Sequence, residues 1–287
     1  MYEEFYRLSR RPFLTVPDPE FLLLTESHSL ALTMLRYGMM TRAPISVITG
    51  EIGAGKTTLL RQTLREVPPD VVIGFISNMQ ADRGLLLQWI LMALGERVED
   101  TSYVQLFSRF QDLVIGHYAE GRRVTLVFDE AQNLDVSTLE ELRMLSNINS
   151  DGDELLQLVL VGQPQLRELL ARPELVQFSQ RISVDFHLPV LEREEVARYI
   201  NHRLMVADAQ WRIFPPETCS GVYEATRGVP RLINVLCDLC LVYGYVAEAK
   251  TIGLDLLEEF LASAHKRGIY EQFSPLRASS KILQQVR

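Results

Sequence analysis

The stretch Gly50-Glu51-Ile52-Gly53-Ala54-Gly55-Lys56-Thr57 decides the fold of this chain. It fits the pattern G-x-x-x-x-G-K-[ST] at every fixed position, with an apolar run before it and a helical pattern after it. Glycines let backbone N–H groups turn around a phosphate, and the helix N-terminus adds positive charge there. In this pattern the lysine reaches the β- and γ-phosphates and the threonine hydroxyl binds Mg²⁺. We expect the nucleotide to be contacted by Gly50, Glu51, Ile52, Gly53, Ala54, Gly55, Lys56, Thr57 and Thr58.

Around this loop, short apolar runs alternate with helical stretches. The runs predict strands at 45–50, 71–77, 124–130, 156–162 and 181–188. The stretches between them predict helices at 56–65, 84–94, 103–118, 136–146 and 165–171. Continuous β-branched runs suit strands buried on both faces, and alternation with helices implies parallel strands joined by crossovers. The sequence therefore predicts an α/β fold, a P-loop NTPase three-layer αβα core with a parallel sheet.

The chain divides into four predicted regions. Residues 1–45 read as a leader that contains a helix from His28 to Met40, and 46–190 as the α/β core. After Pro189 the strand signals fade, and helices are predicted at 192–206, 216–225, 231–247 and 255–267. These helices predict a small all-helical lid at 191–262. Residues 263–287 read as a basic, flexible tail.

Two carboxylates end the apolar run Val124-Thr125-Leu126-Val127-Phe128-Asp129-Glu130. Asp129 is placed to hold Mg²⁺, together with Thr57, and Glu130 is placed to polarise the attacking water as general base. We therefore predict a Mg²⁺-dependent ATP hydrolase. A kinase that transfers phosphate to a small substrate is the enzymatic alternative, and an Asp-Glu pair at this strand end favours water as the acceptor.

Five further polar residues lie at the ends of predicted strands and helices. Gln163 is predicted to contact the γ-phosphate or the attacking water, and Asn78 to restrain Glu130. Arg181 at the last strand is predicted to act as an arginine finger toward a neighbouring subunit, with Arg172 as its competitor. Arg231 follows Gly228-Val229-Pro230 at a helix start, where a cation opposes the helix dipole; we predict that it reaches the nucleotide.

Composition narrows the function classes. The 287 residues have 47% apolar content and 29 basic against 37 acidic residues, a formal net charge of -8, which argues against general coating of DNA. Three cysteines cannot form a closed disulfide set, so a reducing compartment is favoured. We find no membrane-spanning segment or signal peptide, and expect a cytoplasmic protein. The stretch 263–287 holds five Lys/Arg against one Glu; we interpret it as a solvated end, with contact to DNA, anionic lipid or a partner as the alternative.

Together these motifs resemble an AAA+ ATPase. The finer resemblance is to general secretion pathway ATPases of the ExeA/GspA type and to MSHA-pilus biogenesis and exosortase-locus ATPases. It rests on TGEIGAGKTTL, LVFDEAQNL, LVLVGQPQL, SQRISVDFHL, ARYINHRL and GVPRLINVLCDLCL, and covers about residues 1–250. Larger members of the family continue into a membrane helix and a peptidoglycan-binding domain. This chain fits the short cytoplasmic members, or is a truncated form.

The resemblance implies a protein that assembles as a ring or filament with ATP at subunit interfaces, where Arg181 acts in trans. It also implies that Phe13 and His28 contact the adenine. Partners would be components of an envelope secretion or pilus machinery, which would place the protein in the cytoplasm or at the periphery of the inner membrane.

Transposition ATPases of the TniB/TnsC type resemble the same core, so a DNA-associated regulator of transposition stays open. A nucleotide switch with slow hydrolysis is a third alternative.

Overall fold

A computed structural model describes residues 1–16, 18–77, 79, 86–97, 102–150, 153–266, 272–274 and 276. The chain divides into two compact units. The first, here called the sheet unit, comprises 26–51 and 56–189. The second, the helical unit, comprises 1–25, 52–55 and 190–287.

The sheet unit is built on five parallel strands. They are β1 (Ile45–Gly50), β2 (Val71–Ser77), β3 (Arg123–Asp129), β6 (Leu156–Gly162) and β7 (Ile182–Leu188), in the spatial order β2-β3-β6-β1-β7. Two short strands, β4 (Asn149–Ser150) and β5 (Asp153–Glu154), pair antiparallel beside this sheet. All residues of β1 and β6 are buried, as expected of central strands covered on both faces. The predicted α/β fold with a parallel sheet is confirmed.

In the described part of the sheet unit, seven helices flank these strands, the first before β1 and the others between strands. They are α2 (Glu26–Met40), α3 (Lys56–Arg65), α4 (Leu86–Ala93), α5 (Tyr103–Ala119), α6 (Val136–Leu145), α7 (Gln165–Leu170) and α8 (Val176–Ser179). Side-chain caps fix two of their starts: Ser102 and Gln105 form a reciprocal capping box at α5, and Asp135 accepts from the Thr138 N–H at α6. One continuous apolar core joins α4, α5, α6, α7 and α8 to the sheet.

The helical unit contains α1 (Tyr2–Tyr6), α9 (Arg193–Val206), α10 (Pro216–Thr226), α11 (Pro230–Val246) and α12 (Leu254–Lys266). The first 25 residues belong to this unit, whereas the sequence predicted a separate leader over 1–45. Tyr6 and Phe13 are buried in its core. Arg203, itself 5% exposed, donates to the carbonyls of Pro12 at 2.5 Å and Leu14 at 3.1 Å. Buried aromatic rings and a buried guanidinium therefore fix residues 6–14 to the helices of this unit.

Strand ends follow backbone geometry. The sequence predicted a strand over 124–130, but β3 ends one residue earlier because Glu130 is left-handed, with φ 57° and ψ 38°. Within the described residues, no helix has the length and apolar character needed to cross a membrane.

Candidate active site

Three neighbouring strands bring the candidate residues to one edge of the sheet. β6 lies between β3 and β1, and Asp129 is in register with Val161, while Thr49 is in register with Gly162. Because all three strands are parallel, their carboxyl ends meet at the same edge. The phosphate-loop motif, the Asp-Glu pair and Gln163 each follow one of these ends.

Glycine is required at several points of the loop. Gly53 has φ +79° and Gly55 has φ +99°, a region that L side chains rarely adopt. Gly50 has an ordinary φ, but a Cβ there would lie 2.6 Å from the carbonyl oxygen of Leu188. The motif glycines thus match the backbone that the loop adopts.

Lys56 begins α3 and is 7% exposed. Its ammonium Nζ donates to the carbonyls of Gly50 at 2.8 Å and Glu51 at 2.9 Å. Burial lowers the pKa of Lys56, and the carboxylates of Glu130, Asp129 and Glu51 act against that shift. The lysine is therefore a buried cation held by backbone oxygens, which an anionic phosphate group can replace.

The Thr57 hydroxyl donates to Oδ2 of Asp129 at 3.1 Å. The backbone N–H of Glu130 donates to the other oxygen, Oδ1, at 3.0 Å. Burial raises the pKa of Asp129 despite both hydrogen bonds, and the neighbouring Glu130 charge adds to the rise.

A hydroxyl beside a carboxylate is a donor set of hard oxygens, which suits Mg²⁺. The described residues contain no cluster of three or more His, Cys, Asp or Glu side chains suited to a metal. A magnesium ion is commonly held by one or two carboxylates with water and substrate phosphates, so this donor set fits it.

Glu130 accepts two side-chain hydrogen bonds on the same oxygen. Gln163 Nε2 donates to its Oε2 at 3.2 Å, and Gln132 Nε2 donates to the same atom at 2.6 Å. The backbone N–H of Gln163 donates in turn to Oε1 of Gln132 at 2.9 Å. The structure brings Glu130 and Gln163 together, and adds Gln132, which sequence reasoning missed.

The predicted arginines occupy different environments. Arg181 Nη1 donates to the Ser146 hydroxyl at 2.6 Å within the sheet unit. Arg172 is exposed and precedes the 3₁₀ turn Pro173–Leu175. Within the helical unit, the N–H of Arg231 donates to the carbonyl of Gly53 at 3.3 Å.

The remaining predictions concern the adenine and Asn78. Phe13 is 1% exposed and packs edge-to-face on Phe214, with ring centroids 5.9 Å apart. His28 is buried in α2. Their contact with adenine stays a prediction, and Asn78 lies outside the described residues.

Comparisons with known proteins show which families this chain resembles. Residues 39–170 match the AAA domain family. General secretion pathway protein A of Aeromonas hydrophila is 37% identical over 246 residues, which cover 85% of this chain and 45% of that protein. The chain thus spans less than half the length of this relative.

Solved structures support the fold alone. The Aeropyrum pernix ORC2 protein, in ADPNP–ADP complexes, aligns with TM-score 0.63 and 19% identity over 94% of this chain and 73% of its own. Cdc6p from Pyrobaculum aerophilum aligns with TM-score 0.64 and 15% identity over 86% of this chain and 71% of its own. The chain is therefore an AAA-domain protein of the P-loop fold and a relative of General secretion pathway protein A.

Proposed function

We propose that this protein binds ATP with Mg²⁺ and hydrolyses it to drive or regulate assembly of an envelope secretion or pilus apparatus. The observation that carries the ATPase proposal is the 3.1 Å hydrogen bond between Thr57 and Asp129, with Glu130 directly after it. A phosphate loop supplies binding alone, whereas an adjacent carboxylate base supplies the means to activate water.

Binding begins with exchange of partners at Lys56. Its ammonium leaves the carbonyls of Gly50 and Glu51 and pairs with the β- and γ-phosphates of ATP. Thr57 and Asp129 would hold Mg²⁺, which when bound neutralises charge on the phosphate oxygens. The negative substrate also compensates the burial that lowers the pKa of Lys56.

Hydrolysis then depends on Glu130. Its carboxylate takes a proton from a water molecule while the water oxygen bonds to the γ-phosphorus. The bond from that phosphorus to the β–γ bridging oxygen breaks, and ADP and phosphate form. Gln163, which contacts the same carboxylate, orients the water or the γ-phosphate.

Self-association would complete the site. Arg181 is half-buried and bonded to Ser146, so an interface that recruits its guanidinium must replace this hydrogen bond. Arg231 adds a second cation, and its N–H bonds to the loop carbonyl of Gly53. The secretion role is supported by the name and 37% identity of the Aeromonas relative.

Two lysine substitutions, one in the phosphate loop and one at an exposed control position, test the ATPase proposal. Lys56→Ala should abolish ATP binding and turnover, because it removes the buried ammonium that is bound to the loop carbonyls of Gly50 and Glu51. Lys266→Ala is the matched control, since Lys266 is exposed at the end of α12. Equilibrium binding of labelled ATP and phosphate release report both steps. Full ATP affinity in Lys56→Ala would overturn the phosphate-loop assignment.

Mixed subunits test the arginine. A mixture of Arg181→Ala and Lys56→Ala chains should regain turnover, since one composite site then holds both groups. Absence of rescue in assemblies shown to be mixed would refute action in trans. DNA-stimulated turnover with steep salt dependence would instead favour the transposition alternative.

A further inference from the structure

We propose that Gln132 is a positioning residue for Glu130: its side-chain amide orients the carboxylate for proton abstraction and couples it to the end of β6. This inference rests on the proposed ATPase function. Gln132 lies two residues after the acidic pair, where neither the phosphate-loop motif nor the Asp-Glu pair assigns it a role.

The amide of Gln132 is fixed at both ends. Its Oε1 accepts from the Gln163 backbone N–H at 2.9 Å, and its Nε2 donates to Oε2 of Glu130 at 2.6 Å. A backbone N–H is only a donor, so the amide oxygen must face Gln163 and the amide nitrogen must face Glu130. The orientation of this side chain therefore follows from its partners.

Backbone geometry brings Gln132 back toward Glu130. The left-handed Glu130 is followed by a 3₁₀ turn, Ala131–Asn133, and the Asn133 N–H donates to the Glu130 carbonyl at 3.0 Å. This tight turn lets a side chain two residues further on contact the glutamate carboxylate.

A glycine on β6 leaves room for this amide. A Cβ on Gly162 would lie 2.9 Å from Oε1 of Gln132 and 3.2 Å from its backbone nitrogen. A larger residue at 162 would therefore press on the Gln132 side chain. The close approach couples the end of β6 to the turn after β3.

The consequence concerns the two oxygens of Glu130. Both amide donors, from Gln132 and Gln163, bind Oε2. Within the described part of the chain, no donor binds Oε1. Holding one oxygen fixes the plane of the carboxylate and leaves the other as the proton acceptor. Misorientation of a catalytic group by about 1 Å can lower the rate about 100-fold.

Two substitutions at Gln132 separate its bonds. Gln132→Met removes both hydrogen bonds but keeps a side chain of similar length. Gln132→Glu keeps an acceptor for the Gln163 N–H but loses the donor to Glu130. Both variants should lower kcat about 10- to 100-fold with ATP affinity changed less than about twofold. Gln165→Met is the matched control, because Gln165 is exposed on α7 and should keep wild-type turnover.

Single-turnover ATP hydrolysis in a Glu130→Gln background completes the experiment. If Gln132 acts through Glu130, Gln132→Met causes no further loss there. Wild-type kcat in both Gln132 variants, a parallel loss of ATP affinity, or an equal loss in the Glu130→Gln background would overturn the inference. An unmodified protein without turnover, or undiminished turnover in Glu130→Gln, would instead refute the proposed function.

Discussion

Because the backbone of Glu130, the proposed general base, is left-handed, we expect glycine at this position to give a more stable protein than alanine, the reverse of the usual order. Glu130→Gly and Glu130→Ala both remove the carboxylate and its bonds to Gln132 and Gln163, so their difference isolates the backbone. At φ 57° a Cβ costs about 1–2 kcal/mol that glycine avoids. Glycine loses about 0.5–1 kcal/mol more conformational entropy on folding than alanine. Glu130→Gly should therefore be more stable than Glu130→Ala, by up to about 1.5 kcal/mol.

Differential scanning calorimetry can resolve this difference. For a unit of about 150–250 residues, 1 kcal/mol shifts the melting temperature by about 2–4 °C, so the expected gap is up to about 6 °C. Glu248 offers a matched control in the helical unit: the same residue type, exposed, with φ 54°. Glu248→Gly should also exceed Glu248→Ala in stability, but both should keep wild-type turnover.

The usual order of stability, with the alanine variant above the glycine variant, would refute this reasoning. If Glu130→Ala melts above Glu130→Gly, the backbone at 130 is not left-handed in solution. The tight turn that brings Gln132 to the carboxylate would then lose its basis.

Three further predictions concern the site and the two units. Asp129→Asn should stabilise the ATP-free protein near neutral pH while abolishing turnover, because burial raises the pKa of Asp129 and disfavours its charged form. The wild-type penalty is absent below the ordinary pKa of an aspartate and grows as pH rises through the raised folded-state pKa, so thermal melts near neutral pH should show a larger gain than melts at about pH 3.5; the reverse order would contradict this assignment. Gln157→Leu should cost about 2–4 kcal/mol in urea unfolding, since the Ala43 carbonyl and the buried Thr125 hydroxyl lose a partner and the Gly38 carbonyl keeps only the bond from the Ala43 N–H; a loss below about 0.5 kcal/mol would refute it. Gly228→Ala should lower the melting temperature severely, because φ is +75° and the Cβ would lie 1.9 Å from the Leu191 carbonyl oxygen. Gly116→Ala is the control: its Cβ meets open space within α5, so this variant should be neutral or stabilising. Equal melting temperatures of the two variants would count against this geometry.

Much of the fold could be predicted because its signals are local. Apolar runs of six or seven residues define the central strands, and β1 and β6 have the predicted bounds. The loop motif fixes where β1 ends and α3 begins. The leader was harder, because Tyr2, Tyr6 and Phe13 have no regular spacing, and their burial depends on contacts with distant helices.

In the candidate site too, residues in local motifs could be predicted, whereas a residue placed by tertiary contacts could not. The motif and the Asp-Glu pair predicted residues that meet at one sheet edge, since parallel neighbouring strands require it. Gln132 could not be predicted in this way, because its contact with Glu130 depends on a left-handed residue and a 3₁₀ turn that no residue preference specifies. The one sequence signal for this contact is the presence of a glutamine two residues after the acidic pair.

Retention of intact ATP by Glu130→Gln is the direct test of whether Glu130 is the general base for ATP hydrolysis. Wild type and variant are incubated with Mg²⁺ and labelled ATP, and the bound nucleotide is recovered and identified. If Glu130 is the general base, both proteins bind equal amounts of nucleotide; the wild type forms ADP and phosphate, whereas the variant keeps intact ATP and hydrolyses it at least about 100-fold more slowly. Product formation by Glu130→Gln at the wild-type rate would contradict it.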